Sequence, residues 1–257
     1  MLVDTHTHLY LSEFDSDGGG RSAVERALDS GVGRMMFPNV DLATIEPMKR
    51  LHDLFPDQTD MAIGLHPTEV NENWEQDLKI IEAEATSNTY NAIGEIGIDL
   101  YWDKTFRDEQ IEVFSRQCLL ANNLKLPIII HCREGLDEVL EVFKGLDRIP
   151  VSVFHSFGGN ADDVARIREL CDPYFGINGI VTFKNSKLPE VLPIIGLDRI
   201  LLETDSPYLA PVPKRGKRNE SAFLNYTAAF VADKLGITQG ELSEATTRNY
   251  FDFLNRR

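Results

Sequence analysis

Eight short apolar, β-branched runs punctuate the 257 residues, each followed by a polar turn and a longer segment with helical spacing. The runs cover 2–3, 35–40, 61–65, 92–98, 127–130, 151–154, 174–180 and 200–202. Repeated strand–helix alternation implies a parallel sheet, because two parallel strands need a crossover and a helix supplies it. Eight such units in this length predict an α/β fold closed into a (β/α)8 TIM barrel, which uses roughly 250 residues as one unit. A doubly wound open sheet is the alternative. No long linker or composition shift divides the chain, so 1–257 reads as a single domain.

Spacing predicts helices over 22–30, stopping at Gly31, and over 105–124, with Thr105 and Asp108 as a capping box. A third runs over 222–235 and ends at Gly236, suited to a left-handed cap. Thr238 and Glu241 cap a last helix reaching about 254. Weaker helical patterns occupy 46–54, 75–86, 136–143, 161–170 and 187–195, with Pro47 placed in a first turn.

The strand ends carry the chemistry. Of six histidines, His6, His8, His66, His131 and His155 sit at or just beyond the C-terminal end of an apolar run, and only His52 lies in a helical segment. Glu95 and Asp205 occupy matching places in two further runs. In a parallel barrel these ends open on one face, so residues two hundred positions apart converge there. His6-Thr7-His8 puts two imidazoles on one side of a strand, able to share a metal ion, with Asp4 on the same side to orient one of them. A lone histidine at a strand end is ordinarily just a satisfied core residue, but five of them outweigh that reading.

Glu95 follows a buried run and must be paired, protonated or metal-bound, since an isolated buried charge is costly. Arg133 shares a face with His131 and offers a planar fork for phosphate or carboxylate, unless Glu134 claims it; Cys132 points the other way. Glu203 and Asp205 share a face; Asp205 suits a metal ligand and general base, and Glu203 an acid or a supporting group. Four histidines and two carboxylates suffice for two divalent ions, with His66 left over. Such pairs suit phosphate-ester hydrolysis, and mixed N/O ligation fits Zn²⁺ or Mn²⁺ better than Mg²⁺.

Forty-one acidic residues against 26 basic ones give a net charge of −15. No global positive field exists to draw in nucleic acid, so a polyanion must be met by local cations or metal. Lys214, Arg215, Lys217 and Arg218, in the loop after the eighth run, are a local source of phosphate contacts or merely a solvated loop. Tyr101 and Trp102 are able to stack on a base, though such residues more often pack. Cys118, Cys132 and Cys171 contain no C-x-x-C pair and cannot build a disulfide framework, which fits a reducing cytoplasm. The start of the chain lacks a signal-peptide pattern, and no apolar stretch approaches the ~18 residues of a membrane span. No obligatory protein partner is evident.

Taken in order, Asp4-Thr5-His6-Thr7-His8-Leu9, Gly64-Leu65-His66-Pro67, Gly94-Glu95-Ile96-Gly97-Ile98-Asp99, His131-Cys132-Arg133, His155-Ser156-Phe157, Glu203-Thr204-Asp205-Ser206-Pro207 and Arg215-Gly216-Lys217-Arg218-Asn219-Glu220 resemble the TatD family of metal-dependent deoxyribonucleases, in the wider metal-dependent hydrolase superfamily. The resemblance spans nearly the whole chain. It implies one ion on His6, His8, Glu95 and Asp205, a second on Glu95, His131 and His155, and hydrolysis of phosphodiester bonds in DNA, exonuclease-type, by metal-activated water. His66 and Arg133 would position the phosphate, and nucleic acid would be the partner. Two positions depart from the family pattern: Tyr10 stands where an Asp is frequent and Ser221 where a Pro is frequent, neither expected to touch a ligand. The competing activities are hydrolysis of another ester, such as aminoacyl-tRNA, or of an amide, and a non-catalytic metal-binding adaptor. Glu95, rather than a lysine, on the fourth run argues for phosphoester over amide chemistry.

Overall fold

The computed structural model describes residues 1–255. Eight strands alternate with helices: β1 (Leu2–Asp4), α1 (Gly19–Asp29), β2 (Val32–Pro38), α2 (Leu42–Leu54), β3 (Thr59–Ile63), α3 (Trp74–Ser87), β4 (Ala92–Asp99), α4 (Arg107–Leu124), β5 (Ile128–Arg133), α5 (Leu136–Gly145), β6 (Ser152–Phe154), α6 (Ala161–Arg168), β7 (Tyr174–Ile177), α7 (Leu188–Ile195) and β8 (Ile200–Leu202), followed by α8 (Leu224–Leu235) and α9 (Gln239–Asn255). The strands pair in parallel in chain order, β1 through β8. Where β8 returns to β1 the seam is closed just beyond the strand ends. Thr5 N–H donates to the Leu202 carbonyl (3.0 Å), Asp205 N–H to His6 (2.9 Å) and His8 N–H to Ser206 (2.8 Å). The expected (β/α)8 barrel is therefore the observed one.

Strand alternation sorts the apolar residues into two cores. Val3, Met36, Ala62, Ala92, Ile129, Val153, Tyr174 and Leu201, one from each strand, fill the barrel, while the other faces pack under the helices. Tyr250 and Phe253 of α9 join the inner cluster and plug the end opposite the histidines. Tyr250 donates its hydroxyl to Asp60, which Arg34 Nη2 also meets at 2.7 Å.

Several local expectations are corrected. α2 begins at Leu42, not 46, because Asp41 and Thr44 form a capping box, so Pro47 lies inside the helix and beyond its first turn. Thr105 does not cap α4: its N–H and hydroxyl turn back to Asp103, and the helix starts two residues later. The end of the run at 174–180 leaves the sheet after Ile177, where Asn178 caps a short 3₁₀ turn. Thr238 and Glu241 do pair reciprocally, and Gly236 is left-handed at the end of α8 (φ 67°).

Truncating Phe253 to Ala should lower unfolding free energy by ~3–5 kcal/mol. Tyr250→Phe, which removes one hydrogen bond to a buried carboxylate, should cost ~1–3 kcal/mol. Urea denaturation measures both, and a neutral result for Phe253→Ala would contradict the plugging role.

Candidate metal centre

Glu95 reaches the barrel mouth through an irregularity. Ile93 and Ile96 both pack outward, and the β4–β5 register slips between them, which turns the intervening Glu95 inward. Two residues on, Gly97 (φ 144°) allows the two strands to approach so closely that a Cβ would lie 1.9 Å from the His131 carbonyl oxygen. Glu95 is 3% exposed, and five imidazoles surround its carboxylate. Oε1 lies 2.9 Å from His131 Nδ1, 3.4 Å from His66 Nε2 and 3.6 Å from His155 Nε2. Oε2 lies 3.0 Å from His6 Nε2 and 3.7 Å from His8 Nε2.

Asp205 completes the ring from the seam. Its backbone is left-handed (φ 57°), and Oδ1 sits 3.6 Å from His155 Nε2, 3.7 Å from His8 Nε2 and 3.9 Å from His6 Nε2. All five strand-end histidines and both carboxylates thus converge, and all of them except His6 line a cleft of about 1050 Å³. His131 and Asp205 keep 19% and 14% of their side chains exposed, so water enters beside them.

Oxygens hold the far nitrogens of three imidazoles. His8 Nδ1 meets the Tyr10 hydroxyl at 2.9 Å, and that hydroxyl donates to the Pro38 carbonyl. Burial keeps the phenol neutral by pushing its pKa well up, and its one proton goes to Pro38. His8 must then carry its own proton on Nδ1, leaving the Nε2 lone pair aimed at Glu95 and Asp205. His131 Nε2 meets Asp99 Oδ2 at 2.8 Å. His155 Nδ1 makes an ion-pair contact with Glu203 Oε1 at 2.9 Å, without hydrogen-bond alignment.

Tyr10 therefore does touch a proposed ligand, contrary to expectation. Asp99 carries the same signal as Glu95, an acid at a strand's C-terminal end, and it is the residue sequence reasoning misses. Asp4 does not orient an imidazole: it accepts from the Thr204 N–H (2.9 Å) and hydroxyl (2.6 Å) and so fixes the loop that carries Asp205.

Glu203 is likewise not at the reacting face. It is 1% exposed, accepts the Ser156 N–H (2.6 Å) and occupies space where a Cβ on Gly176 would meet its carboxylate oxygen at 2.1 Å. Its carboxylate stands behind His155 and does not line the cleft. The basic loop also stays outside: Lys214, Arg215, Lys217 and Arg218 do not line the cleft. Arg218 pairs with Asp17 (2.8 Å), Arg215 stacks on Phe183 (3.8 Å), Lys214 sits over Phe223 (4.9 Å), and Lys217 is exposed. Arg133 does line the cleft, and no ion pair with Glu134 forms.

The unpaired chemistry fits divalent cations. His6 and His8 bring Nε2 to Nε2 at 3.1 Å, His6 stacks on His155 with centroids 3.4 Å apart, and His6 Nδ1 is buried without a hydrogen-bond partner. Like groups crowded in this way around two acids are the donor set of a cation site. Three groups of potential ligands lie close enough together: His6, His8 and Asp205; His66, Glu95 and His131; and His6, His155 and Glu203. Protonation follows the crowding. Burial would raise the Glu95 pKa, but His6, His155 and His66 hold it well below the usual carboxylate range. Burial pushes His8 down to about 4 and Asp205 up to about 7. Burial would also lower His155 and His131, but Glu203, Glu95 and Asp205 lift the former to about 10, and Asp99 and Glu95 the latter to about 8.

A family model described as "TatD related DNase" matches residues 3–255. The chain belongs to the TatD family. A Bacillus subtilis relative, the uncharacterized metal-dependent hydrolase YabD, is 38% identical over 252 residues, covering 97% of each chain. The 3'-5' ssDNA/RNA exonuclease TatD of Erwinia tasmaniensis is 29% identical, over 96% of this chain and 97% of that one. The crystal structure of YjjV, a TatD homologue from Escherichia coli, superposes with a TM-score of 0.87 at 25% identity, covering 99% and 98%. This TatD-family chain is a metal-dependent hydrolase. No described helix is long and apolar enough to cross a membrane.

A cation taken up by His131 and His155 at pH 7 would displace protons from these rings, which nearby acids lift to about 8 and about 10. Affinity should therefore rise from pH 6 to 8, and calorimetry in buffers of different ionisation enthalpy should detect proton release. Tyr10→Phe should weaken metal binding on the order of 10–100-fold, as loss of a ligand's outer partner does. Equal affinity in the variant would discount the Tyr10–His8 bond.

Proposed function

We propose that the protein hydrolyses phosphodiester bonds in nucleic acid, with DNA as substrate and exonuclease-type cleavage, at a dinuclear metal site. The observation that carries this reading is Glu95, a carboxylate whose two oxygens face two different groups of imidazoles. His6, His8, Glu95 and Asp205 would hold one divalent ion, and Glu95, His131 and His155 the other. Zn²⁺, Mn²⁺ or Mg²⁺ are the cations considered, with the nitrogen donors favouring the first two. Bound there, such ions polarise phosphoryl oxygens and make nearby water more acidic.

The chain's own residues do the rest. Asp205, partly open to the cleft, takes the proton of the attacking water. His66, with Nδ1 held by the Thr68 hydroxyl at 2.7 Å, and Arg133 orient phosphate oxygens. Glu203, Asp99 and Tyr10 keep the imidazoles in place. The geometry lends the basic loop 214–218 less support as a phosphate contact, so any role it has is at long range. The name of the Erwinia tasmaniensis relative supports a nucleic-acid substrate, and its chain is matched nearly end to end.

Glu95→Ala and Asp205→Asn should each lower cleavage of a labelled oligodeoxynucleotide on the order of 10²–10⁴-fold or more without unfolding the chain. Chelation should silence the wild type, and added metal should restore it. Full activity of either variant in metal-supplemented buffer would overturn the assignment. Aminoacyl-tRNA and lactones, assayed in parallel, test the other ester chemistries.

A further inference from the structure

Beside Arg133, one wall of the cleft carries two aromatic rings that the chemistry above does not use. Just past β4, Tyr101 and Trp102 stand 48% and 74% exposed, their rings edge-to-face with centroids 4.7 Å apart. Arg133, at the end of β5, lays its guanidinium over both, 3.7 Å from the Tyr101 centroid and 5.3 Å from that of Trp102. Trp102 and Arg133 line the same cleft as Glu95 and Asp205. Single exposed aromatics are ordinary; an exposed pair roofed by a guanidinium at the mouth of a deep cleft is a recognition surface.

The platform is fastened to the centre. Tyr101 N–H donates to Asp99 Oδ1 (3.0 Å), and the other oxygen of that carboxylate holds His131 (2.8 Å). Leu100 N–H donates to the Arg133 carbonyl (2.9 Å), tying the two strand ends together. A group resting on these rings is thereby held in register with the ring that faces Glu95.

The neighbouring charges narrow the choice of ligand. Glu134, Asp137, Glu138 and Asp163 share the cleft wall, and Arg166 is spent on Asp137. Beside these acids, uncharged stacking area is a better source of affinity than further phosphate contacts.

We propose that Tyr101, Trp102 and Arg133 form a stacking subsite for a nucleobase that flanks the scissile phosphate. The inference rests on the phosphodiesterase reading. Every base offers a π face, so the subsite tolerates sequence but requires an unpaired base.

The test compares wild type, Trp102→Ala and Trp102→Phe, with metal supplied, on a short oligothymidylate and on an abasic oligomer of equal length. Trp102→Ala should raise KM for oligothymidylate by roughly 5–100-fold, since stacking is worth ~1–3 kcal/mol per base, and leave kcat nearly unchanged. Trp102→Phe should retain most of the affinity, and on the abasic oligomer all three proteins should be alike. In a Trp74→Phe background, oligothymidylate should also quench the remaining Trp102 fluorescence in the absence of metal. Unchanged KM in Trp102→Ala, or an equal loss on the abasic oligomer, overturns the subsite while leaving the phosphodiesterase reading intact. A wild type that cleaves neither oligomer yet shows quenching overturns the phosphodiesterase reading and supports base binding. Absence of both cleavage and quenching overturns the two together.

Discussion

A carboxylate with almost no access to water, Glu95, sets the terms for the rest of the molecule. Its burial is unfavourable unless positive charge or donors meet it on both oxygens. The fold supplies five imidazoles for that purpose from four stretches of chain, so the charge of one side chain depends on how β1, β3, β4, β5 and β6 are registered. That dependence explains the close approach at Gly97, the slip in β4 and the seam at which β8 meets His6 and His8. Removing one of these features would misplace donors around a charge that has no alternative partner.

Neutral and acidic oxygens behind the rings do a second job. Tyr10, Asp99 and Glu203 stand on the far sides of His8, His131 and His155, so each ring presents its other nitrogen to the centre. A metal-ligating imidazole gains basicity and a fixed tautomer from such a partner. Of the two positions that depart from the pattern the sequence resembles, Tyr10 falls in this layer and Ser221 beside it. Tyr10 holds His8, and Ser221 places its hydroxyl 3.2 Å from that of Thr7, between the paired histidines.

The barrel and the converging residues were legible in the chain because both rest on short-range rules. Apolar runs at strand spacing, followed by helical spacing, specify a parallel barrel, and a barrel puts its strand ends on one rim. The partners of those residues were less legible. Tyr10 lies two residues past His8 but meets it only because the Pro38 carbonyl pins the phenol. Asp4 shares a face with His6, yet Thr204, two hundred positions away, claims its carboxylate. The basic loop follows the right strand, but its cations are drawn off by Phe183, Phe223 and Asp17, which no local pattern reveals. Sequence periodicity tells which way a side chain points; which competitor reaches it first depends on the whole fold.

That diversion of the loop cations bears on how so acidic a protein handles a polyanion. With those four residues outside the cleft and Arg166 bound to Asp137, Arg133 is left as the lining cation without an ion pair among the described residues. On the proposed phosphodiesterase reading, phosphate attraction would then come from cations held at the rim where Glu95 and Asp205 stand. Positive charge confined to one spot favours a chain end or a single flexible strand fed across that spot over a long duplex gripped along its length. The same confinement would suit phosphodiester hydrolysis, because the attraction would be greatest where charge builds on the phosphate during attack and weak elsewhere, so little of it would be expended on holding the substrate in its ground state.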